Sequence, residues 1–322
     1  MFKVTGKFGS ILLLFAVVVL GYAQVSFGMA ALKWDLIDVV FPFRYFFSES
    51  VGAGYFPFWN PFIQTGTPFY ADLQAPTYYP ELWLVSILGG YTVYTMHLLM
   101  ILYLFLASVG MYGLVKDYTD SESASIFAGL TYAFSGFMVG HGQHFFLIVG
   151  AAWIPFVIRS YVTMCHSGKS SEAVRAALFT FLLLTGAYQA LSLVMFYLLM
   201  GVFVYLLVDR VRSNEPIIPL LKVNAPFTGL TVVMCLPLIN ATIEIIPLVD
   251  RLSGGVGLEK TLGYGQPAAG LISLLAPYVT ISFEALFDRV DVALLNHYVG
   301  LVTLVFFLLA LTKRQPTWVY LV

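Results

Sequence analysis

Long apolar runs, separated by short polar stretches, occupy most of this chain. About 20 apolar residues carry a helix across the hydrocarbon core of a bilayer. On that criterion the pattern predicts eight membrane-spanning helices, at residues 11–31, 91–114, 123–140, 146–164, 174–189, 190–208, 223–248 and 296–312. Only Gly186, Tyr188 and Gln189 mark a turn between the fifth and sixth runs, which indicates a tight helical hairpin.

Two segments between these runs are too long to be simple turns, residues 32–90 and residues 249–295. Long ordered loops usually carry function. Within the second loop, the apolar stretch Leu271 to Phe283 is too short to span and contains Pro277, so it indicates an interfacial or re-entrant segment. We therefore expect an all-α, polytopic integral membrane protein with a single transmembrane domain over residues 1–322.

Composition agrees with a lipid environment. Hydrophobic residues make up 60% of the chain and charged residues 10%, with a mean hydropathy of +0.87, whereas about a quarter of a soluble domain is charged. These values exclude a soluble enzyme or a secreted domain. The net charge of -1 provides no basic excess for nucleic acid, and Cys165 and Cys235 lack the spacing of a metal or redox motif.

Lysine and arginine residues indicate how the chain is oriented. If the N-terminus lies inside the cell, eleven of them fall on the inner side and five on the outer side. Cytoplasmic loops are enriched in these residues. The count therefore predicts that both long loops, which also hold most of the acidic residues, lie on the outer face.

The first long loop begins with a pair of carboxylates. Asp35 and Asp38 follow the first span, and in an α-helix their spacing would place them on one face. One carboxylate at a membrane surface can deprotonate a hydroxyl, and a second can hold a divalent cation or a sugar hydroxyl. The alternative is a pair of solvated charges at a helix end.

Aromatic and amide side chains follow in the same loop. Sugar rings stack on aromatic faces and need carboxylate or amide partners for their hydroxyls, so this composition is typical of a carbohydrate-binding surface. An aromatic belt at the bilayer interface is the alternative. The candidate residues are Trp34, Trp59, Asn60, Asp72, Gln74 and Tyr79.

Histidines are further candidates for metal binding or hydrogen bonding. His141 and His144 flank a short outer turn, and with Asp38 they are candidate ligands for a metal ion. Because the local sequence provides no third ligand, a structural or interfacial role is the favoured interpretation of the two histidines. His97 lies inside the second predicted span, where a hydrogen bond to a neighbouring helix is expected.

A family resemblance rests on a series of short motifs. In the first loop these are Asp35-x6-Pro42-Phe43, Pro57-Phe-Trp-Asn-Pro61, Gly66-Thr-Pro68 and Gln74-x4-Tyr79-Pro80. Later motifs follow in order: Thr131-Tyr-Ala-Phe-Ser-Gly136, Ala152-Trp-Ile-Pro155, Gly186-Ala-Tyr-Gln189 and Tyr298-Val-Gly300. Over residues 30–312 the chain resembles bacterial YfhO-like membrane proteins.

That family resembles the GT-C class of glycosyltransferases, which take a sugar from a polyprenyl-phosphate carrier on the outer face of the membrane. The resemblance implies that Asp35 is the catalytic base and that a divalent cation, Mg or Mn, assists. Relatives carry a glutamine shortly after this Asp, whereas this chain has Asp38, so the role of Asp38 stays open. Arg44 and Arg251 are the candidates for holding the phosphate.

The resemblance further implies a bacterial cytoplasmic membrane protein, surrounded by membrane lipids, with an envelope glycopolymer or lipid as acceptor. Family members are longer, and the apolar run from Trp318 stops at Val322, so a fragment lacking C-terminal spans or a domain is expected. Two alternatives remain open. One is a transporter or flippase of lipid-linked sugars, and the other is a non-catalytic envelope scaffold.

Overall fold

A computed structural model describes residues 6–249, 255, 257, 267–283 and 292–312. These residues form helices and loops, and their only β-type pairing is an isolated bridge between Asn60 and Thr67. The longer helices are α1 (Gly6–Gly21), α2 (Phe41–Gly52), α3 (Pro80–Leu88), α4 (Val93–Lys116), α5 (Glu122–Ala133), α6 (Phe145–Ser167), α7 (Ser170–Gly186), α8 (Gln189–Arg212), α9 (Ile218–Ile245) and α10 (Leu301–Leu311). The expected all-helical fold is therefore confirmed for this part of the chain.

Within the part of the chain that the structure describes, five helical stretches are long and apolar enough to cross a membrane. They are Val93–Lys116, Glu122–Gln143, Phe145–Ser167, Gln189–Arg212 and Ile218–Leu248. The second of these continues from α5 through a short helix, Gly136–Gly140, and a 3-10 turn, His141–Gln143. All five coincide with predicted spans, so the prediction of several apolar spanning helices is confirmed for them.

The other three predicted spans coincide with shorter helices. α1 has 16 residues, α7 has 17 and α10 has 11. α1 ends because the chain turns after Gly21, forms only the short helix Ala23–Ser26, and then adopts a positive φ of 63° at Gly28. The structure therefore supports five of the eight predicted spans by length and composition.

Helices α4 and α6 form the centre of the bundle. α4 packs against α1, α5 and α6, and α6 also packs against α7 and α8. Local signals set their ends: Thr92 and Thr95 form a capping box that starts α4, and the left-handed Gly168 ends α6. α7 and α8 are separated only by residues 187–188, which confirms the predicted tight hairpin.

Helices α8 and α9 lie at the periphery. In the most apolar window of α4 and of α6, 56% of the residues are buried, compared with 6% in α8 and 11% in the stretch that begins with α9. Helices that expose apolar side chains on nearly all sides are typical of contact with lipid. The polar interior of the protein must therefore lie on the α4–α6 side.

The first long loop lies at one end of the helical bundle. We call this end the loop face; it includes residues 32–92, 134–145 and 187–188, the start of α8 and the end of α9. The segment Leu271–Phe283, predicted to be interfacial, forms only a 3-10 helix at Ala268–Leu274 and a short helix at Val279–Ser282. Ion pairs mark the opposite end, including Arg159 with Asp117 at 2.6 Å.

Candidate functional site

The first long loop begins with an unusual helix. Residues Leu36–Val40 form a π-helix that continues into α2, and Trp34, just before it, has a positive φ of 55°. A bulky residue with this conformation is a genuine outlier, and such outliers and π turns are both frequent at functional sites. Asp38 lies within this π-helix, although its amide still donates to the carbonyl of Trp34 at 2.9 Å, as in an α-helix.

Asp35 lies beside a histidine from another part of the chain. Its carboxylate oxygen is 3.5 Å from Nε2 of His144, and its side chain is 49% exposed, compared with 13% for His144. The Nδ1 atoms of His141 and His144 are 3.0 Å apart. We call these three residues the carboxylate–histidine cluster. Asp38 and Trp34 are exposed nearby in sequence.

Arg44, in contrast, is buried beneath the loop face. Only 1% of its side chain is exposed, and its Nη1 is 2.8 Å from both carboxylate oxygens of Glu81, whose side chain is 12% exposed. Nη1 also donates to the hydroxyl of Tyr91 at 3.0 Å, and the guanidinium lies 4.8 Å from the ring centre of Phe145. We call Arg44 and Glu81 the buried ion pair.

The guanidinium is charged in this setting. Burial alone would lower the pKa of Arg44, but the Glu81 carboxylate outweighs it, and the pKa lies above its ordinary value. The Nε atom of Arg44 has no hydrogen-bond partner among the described residues. This donor is therefore buried and unsatisfied among the described residues.

Tyr79 belongs to the same buried network. It is 1% exposed, its hydroxyl accepts a hydrogen bond from Nε1 of Trp153 at 2.9 Å, and the hydroxyl of Tyr103 lies 2.6 Å away. Tyr103 in turn donates to Glu81 at 3.4 Å. The structure therefore places Tyr79 in the core, where it packs and hydrogen-bonds rather than presenting a ring at the surface.

Trp59 and Asn60 belong to a separate turn of the loop. The backbone of Asn60 pairs with that of Thr67 in both directions, at 2.8 and 2.9 Å, and its side chain accepts from the amide of Phe62. Asn60 is 2% exposed, whereas Trp59 is 55% exposed. The ring of Trp59 covers Gly66, whose φ is 115° and where a Cβ would lie 2.5 Å from the ring. Asn60 thus shapes the turn, and Trp59 remains available at the surface.

Asp72 and Gln74 lie on a tight turn next to a small cavity. A carboxylate oxygen of Asp72 accepts from the amide of Gln74 at 2.8 Å. Burial raises the pKa of Asp72, although the amides of Gln74 and Ala75 lower it in part. The cavity has a volume of about 30 Å³, and its lining includes Arg44, Asp72 and Gln74. Three of the predicted site residues are therefore brought to one place.

The cavity lies between the first loop and the ends of the helices. Its lining also includes Gly186 and Gln189 from the α7–α8 hairpin, and the side chain of Gln189 donates to the carbonyl of Leu73. A space of this size holds one or two water molecules, or one polar substituent of a larger ligand.

Neighbouring residues connect the carboxylate–histidine cluster to this cavity. Val40 and Phe146 line the cavity, and the ring of Phe146 is 6.2 Å from that of His144. Val40 belongs to the π-helix for which Asp35 is the N-cap residue. Two structural connections thus lead from Asp35 to the cavity, one along the helix and one through the histidine.

Comparison with known proteins gave no match. No family model matches this chain, no curated protein matches it significantly, and no solved structure does so either.

Sequence reasoning missed three of the residues that shape this site. Glu81 was counted only as one of the acidic residues of the loop, yet it neutralises Arg44. His144 was considered only with His141, yet it contacts Asp35. From the sequence, Gln189 is only a turn residue, yet it lines the cavity. Its place in the motif Gly186-Ala-Tyr-Gln189 was the one indication that it contributes to the site. Arg251 lies outside the described residues.

The two histidines can be tested against the predicted divalent cation. A separation of 3.0 Å between their Nδ1 atoms suits a mutual hydrogen bond, and it also fits two neighbouring ligands of one metal ion with bonds of about 2.1 Å. Within the described ranges, however, no group of three or more His, Cys, Asp or Glu side chains is placed to hold a metal ion.

Proposed function

We propose that this protein is a membrane glycosyltransferase. It transfers a sugar from a polyprenyl-phosphate carrier to a cell-envelope acceptor, on the outer side of a bacterial cytoplasmic membrane, with its N-terminus inside. One observation carries the proposal: the half-exposed Asp35 contacts His144, and the ring of His144 is 6.2 Å from that of Phe146. Phe146 lines the same cavity as Arg44, Asp72 and Gln74. The resemblance of the first-loop motifs to YfhO-like and GT-C proteins supplies the reaction class.

In this reaction Asp35 is the general base. It accepts the proton of the acceptor hydroxyl while the hydroxyl oxygen forms a bond to the anomeric carbon of the sugar. The bond between that carbon and the phosphate oxygen breaks, and the lipid phosphate leaves with the electron pair. His144 contacts the Asp35 carboxylate at 3.5 Å, and the exposed half of the Asp35 side chain is open to the acceptor.

The remaining residues bind and orient the substrates. The carboxylate of Asp72 and the amide of Gln74 can accept and donate hydrogen bonds to sugar hydroxyls at the cavity. The exposed rings of Trp34 and Trp59 offer stacking surfaces for sugar rings. Because Glu81 occupies Nη1 of Arg44 and Nε is buried, the guanidinium contributes mainly a fixed positive charge beneath the cavity.

A divalent cation remains part of the proposal. His141, His144 and Asp38 are its candidate ligands, although these three side chains do not form a complete site among the described residues; Arg251 is the candidate contact for the phosphate. When bound, such an ion stabilises charge on the phosphate oxygens. Transfer that persists at full rate in excess chelator would remove the cation from the proposal and leave Asp35 as the base.

The decisive experiment is an assay of sugar transfer. Purified protein in nanodiscs is supplied with radiolabelled polyprenyl-phosphate sugars and an envelope acceptor fraction, and wild type is compared with Asp35→Asn. A matched control is Glu49→Gln, which replaces an exposed carboxylate on α2. We expect the Asp35 variant to lose at least a hundredfold in rate, as general-base contributions of that size are typical, and the control to retain it.

Two results would overturn the proposal. Equal transfer by wild type and Asp35→Asn would remove Asp35 as the base. Donor binding without transfer in any of the variants would favour a transporter of lipid-linked sugars or an envelope scaffold; movement of the donor between the two leaflets of a vesicle then separates these two functions.

A further inference from the structure

A large cavity opens at the end of the bundle opposite the loop face. Its volume is about 920 Å³, which is within the range of small-molecule sites, about 300–1,000 Å³. Four helices form its walls: the start of α1, the end of α4, the second half of α6 and the first half of α7. We call this cavity the basic cleft. It shares no lining residue with the small cavity at the loop face.

A second cavity, beside His97 on α4, lacks the polar groups that would select a ligand. Both ring nitrogens of His97 are buried and make no hydrogen bond among the described residues, so the expected hydrogen bond to a neighbouring helix is wrong. No Lys, Arg, Asp or Glu is among the described residues that line this second cavity. The basic cleft differs because charged side chains surround its opening.

Basic side chains outnumber carboxylates at the opening of the basic cleft. The basic residues are Lys7, Arg159 and Arg175, and the acidic residues are Asp117 and Glu172. Each carboxylate is already paired, Asp117 with Arg159 at 2.6 Å and Glu172 with Arg175 at 3.0 Å. Lys7 is exposed and forms no ion pair with a described residue. The cleft therefore carries an excess positive charge that the described residues do not neutralise.

Two of the three basic side chains can be reached from solvent, and the third is fixed in place. Lys7 is exposed, and the side chain of Arg175 is 58% exposed. Nε and Nη2 of Arg159 donate to the two carboxylate oxygens of Asp117 at 2.6 and 2.7 Å. Its Nη1 lies against α4, where a Cβ at Gly113 would be only 2.6 Å away. Lys7 and Arg175 are therefore the residues that can bind an anion directly.

The deeper part of the basic cleft is apolar. Phe156 and Phe179 line it, and their ring centres are 5.2 Å apart. Phe179 follows Arg175 by four residues, so it lies about 6 Å further along the axis of α7. Phe156 precedes the exposed His166 by ten residues, which corresponds to about 15 Å along α6. The cleft thus changes from charged to aromatic along the direction in which the helices cross the membrane.

We propose that the basic cleft binds an anionic phospholipid, with the phosphate beside Lys7 and Arg175 and an acyl chain against Phe156 and Phe179. Charge complementarity favours this occupant, since basic pockets between transmembrane helices bind anionic lipid headgroups. A zwitterionic lipid would bring an ammonium group to an opening that already has excess positive charge. A soluble phosphate compound would leave the two rings uncovered. The proposal does not depend on the glycosyltransferase function.

The test is native mass spectrometry of the full chain in an uncharged detergent, titrated with phosphatidylglycerol or with phosphatidylethanolamine of the same acyl chains. We expect wild type to bind phosphatidylglycerol more tightly. The double variant Lys7→Gln with Arg175→Gln should weaken that binding about 25-fold, since each basic residue contributes about fivefold to attraction of an anionic headgroup. Binding of phosphatidylethanolamine should change little, so the preference between the two lipids is lost.

Two further variants make the result specific to the cleft. Arg212→Gln with Lys222→Gln removes the same two charges near the adjacent ends of α8 and α9, outside the cleft, and should bind both lipids like wild type. Val162→Trp, at a half-buried lining residue, should weaken binding of both lipids because the indole fills space that the acyl chain needs.

Three results would overturn the proposal. Equal binding of the two lipids by wild type would show that the charge of the cleft does not select a headgroup. Equal losses in the two double variants would mean that the whole surface, rather than the cleft, attracts anionic lipid. Displacement of the lipid by an equal concentration of glycerophosphoglycerol, the same headgroup without acyl chains, would identify a soluble phosphate compound as the occupant. The first and third results require no variant, so they decide the proposal even if a substituted protein fails to fold.

Discussion

The loop face contains two acidic residues that each contact a basic side chain, and the two pairs differ in almost every physical respect. Glu81 is 12% exposed and binds Arg44 at 2.8 Å through both carboxylate oxygens, with Tyr91 and Tyr103 as additional donors. Asp35 is 49% exposed and contacts His144 at 3.5 Å. The first pair is enclosed by aromatic side chains, and the second lies open to one side.

This difference shows which acid is suited to chemistry. A buried charge persists only if its hydrogen-bonding capacity is filled by the protein, so Glu81 has little left for a ligand. The Asp35 side chain is 49% exposed and contacts the His144 ring at 3.5 Å. The buried ion pair therefore fixes the position of α2 relative to α3, and the carboxylate–histidine cluster is the part that can react.

The largest effect should follow from breaking the buried ion pair. Glu81→Gln removes the charge that balances Arg44, and loss of one partner of a buried pair costs about 3–5 kcal/mol. The measurement is reversible unfolding in mixed micelles by titration with a denaturing detergent. A combined Arg44→Met and Glu81→Leu variant should recover most of this loss, because no unpaired charge remains.

The matched control for that prediction is Glu172→Gln. Glu172 pairs with Arg175 at 3.0 Å, but that arginine is 58% exposed, so the change should cost less than about 1 kcal/mol. Equal losses in the two variants would mean that burial does not distinguish the pairs.

A smaller effect is expected from the hydroxyl that extends the buried network. Tyr79→Phe removes the acceptor of Trp153 and the neighbour of the Tyr103 hydroxyl, and should lower the free energy of unfolding by about 1–3 kcal/mol. Tyr45→Phe, on the exposed side of α2, provides the comparison and should change stability by less than about 0.5 kcal/mol. If Tyr79→Phe were equally mild, the network would not stabilise the fold.

Substitution in the carboxylate–histidine cluster should have the opposite effect, with little change in stability and a large loss of activity. Asp35→Asn should change the free energy of unfolding by less than about 0.5 kcal/mol, since exposed ion pairs contribute little, although transfer is lost. Thermal unfolding and the transfer assay on one preparation would measure both. A destabilisation as large as that of Glu81→Gln would place Asp35 among the structural residues instead.

The smallest expected effect is on the pH dependence of stability. Burial raises the pKa of Asp72 in the folded protein above its ordinary value of 3.8, so the folded state holds this proton more tightly than the unfolded state. Stability contributed by this group therefore falls as pH rises from about 3.8 through the raised pKa. Asp72→Asn should flatten that slope, which unfolding titrations across the acidic range would detect; identical slopes would contradict it.

Hydropathy predicted the spanning helices well where the chain is uniformly apolar. The predicted spans 91–114, 146–164 and 223–248 each coincide with one long helix, because backbone hydrogen bonding in lipid leaves few alternatives to a helix. Hydropathy predicted a first span that extends ten residues past the end of α1 at Gly21. A run of apolar residues does not reveal the turn after Gly21 or the positive φ at Gly28.

The candidate site was predictable only in part. Asp35, Asp72 and Gln74 were identified from residue type and spacing; Asp72 and Gln74 line the cavity, and Asp35 contacts His144. Arg44 and Tyr79 were also identified, yet they are buried in the core, because sequence does not show that Glu81 and Trp153 will meet them. Such partners are distant along the chain, and only tertiary packing brings them together.

The π-helix at Leu36–Val40 acts as a one-residue insertion within a helix. Each residue advances an α-helix by about 100°, so deletion of one residue from this turn would rotate everything before it relative to α2. Asp35 would then turn away from His144 while Arg44 kept its place on Glu81. The π-helix thus sets the rotation of Asp35 about the helix axis relative to Arg44, which is fixed in the core by Glu81.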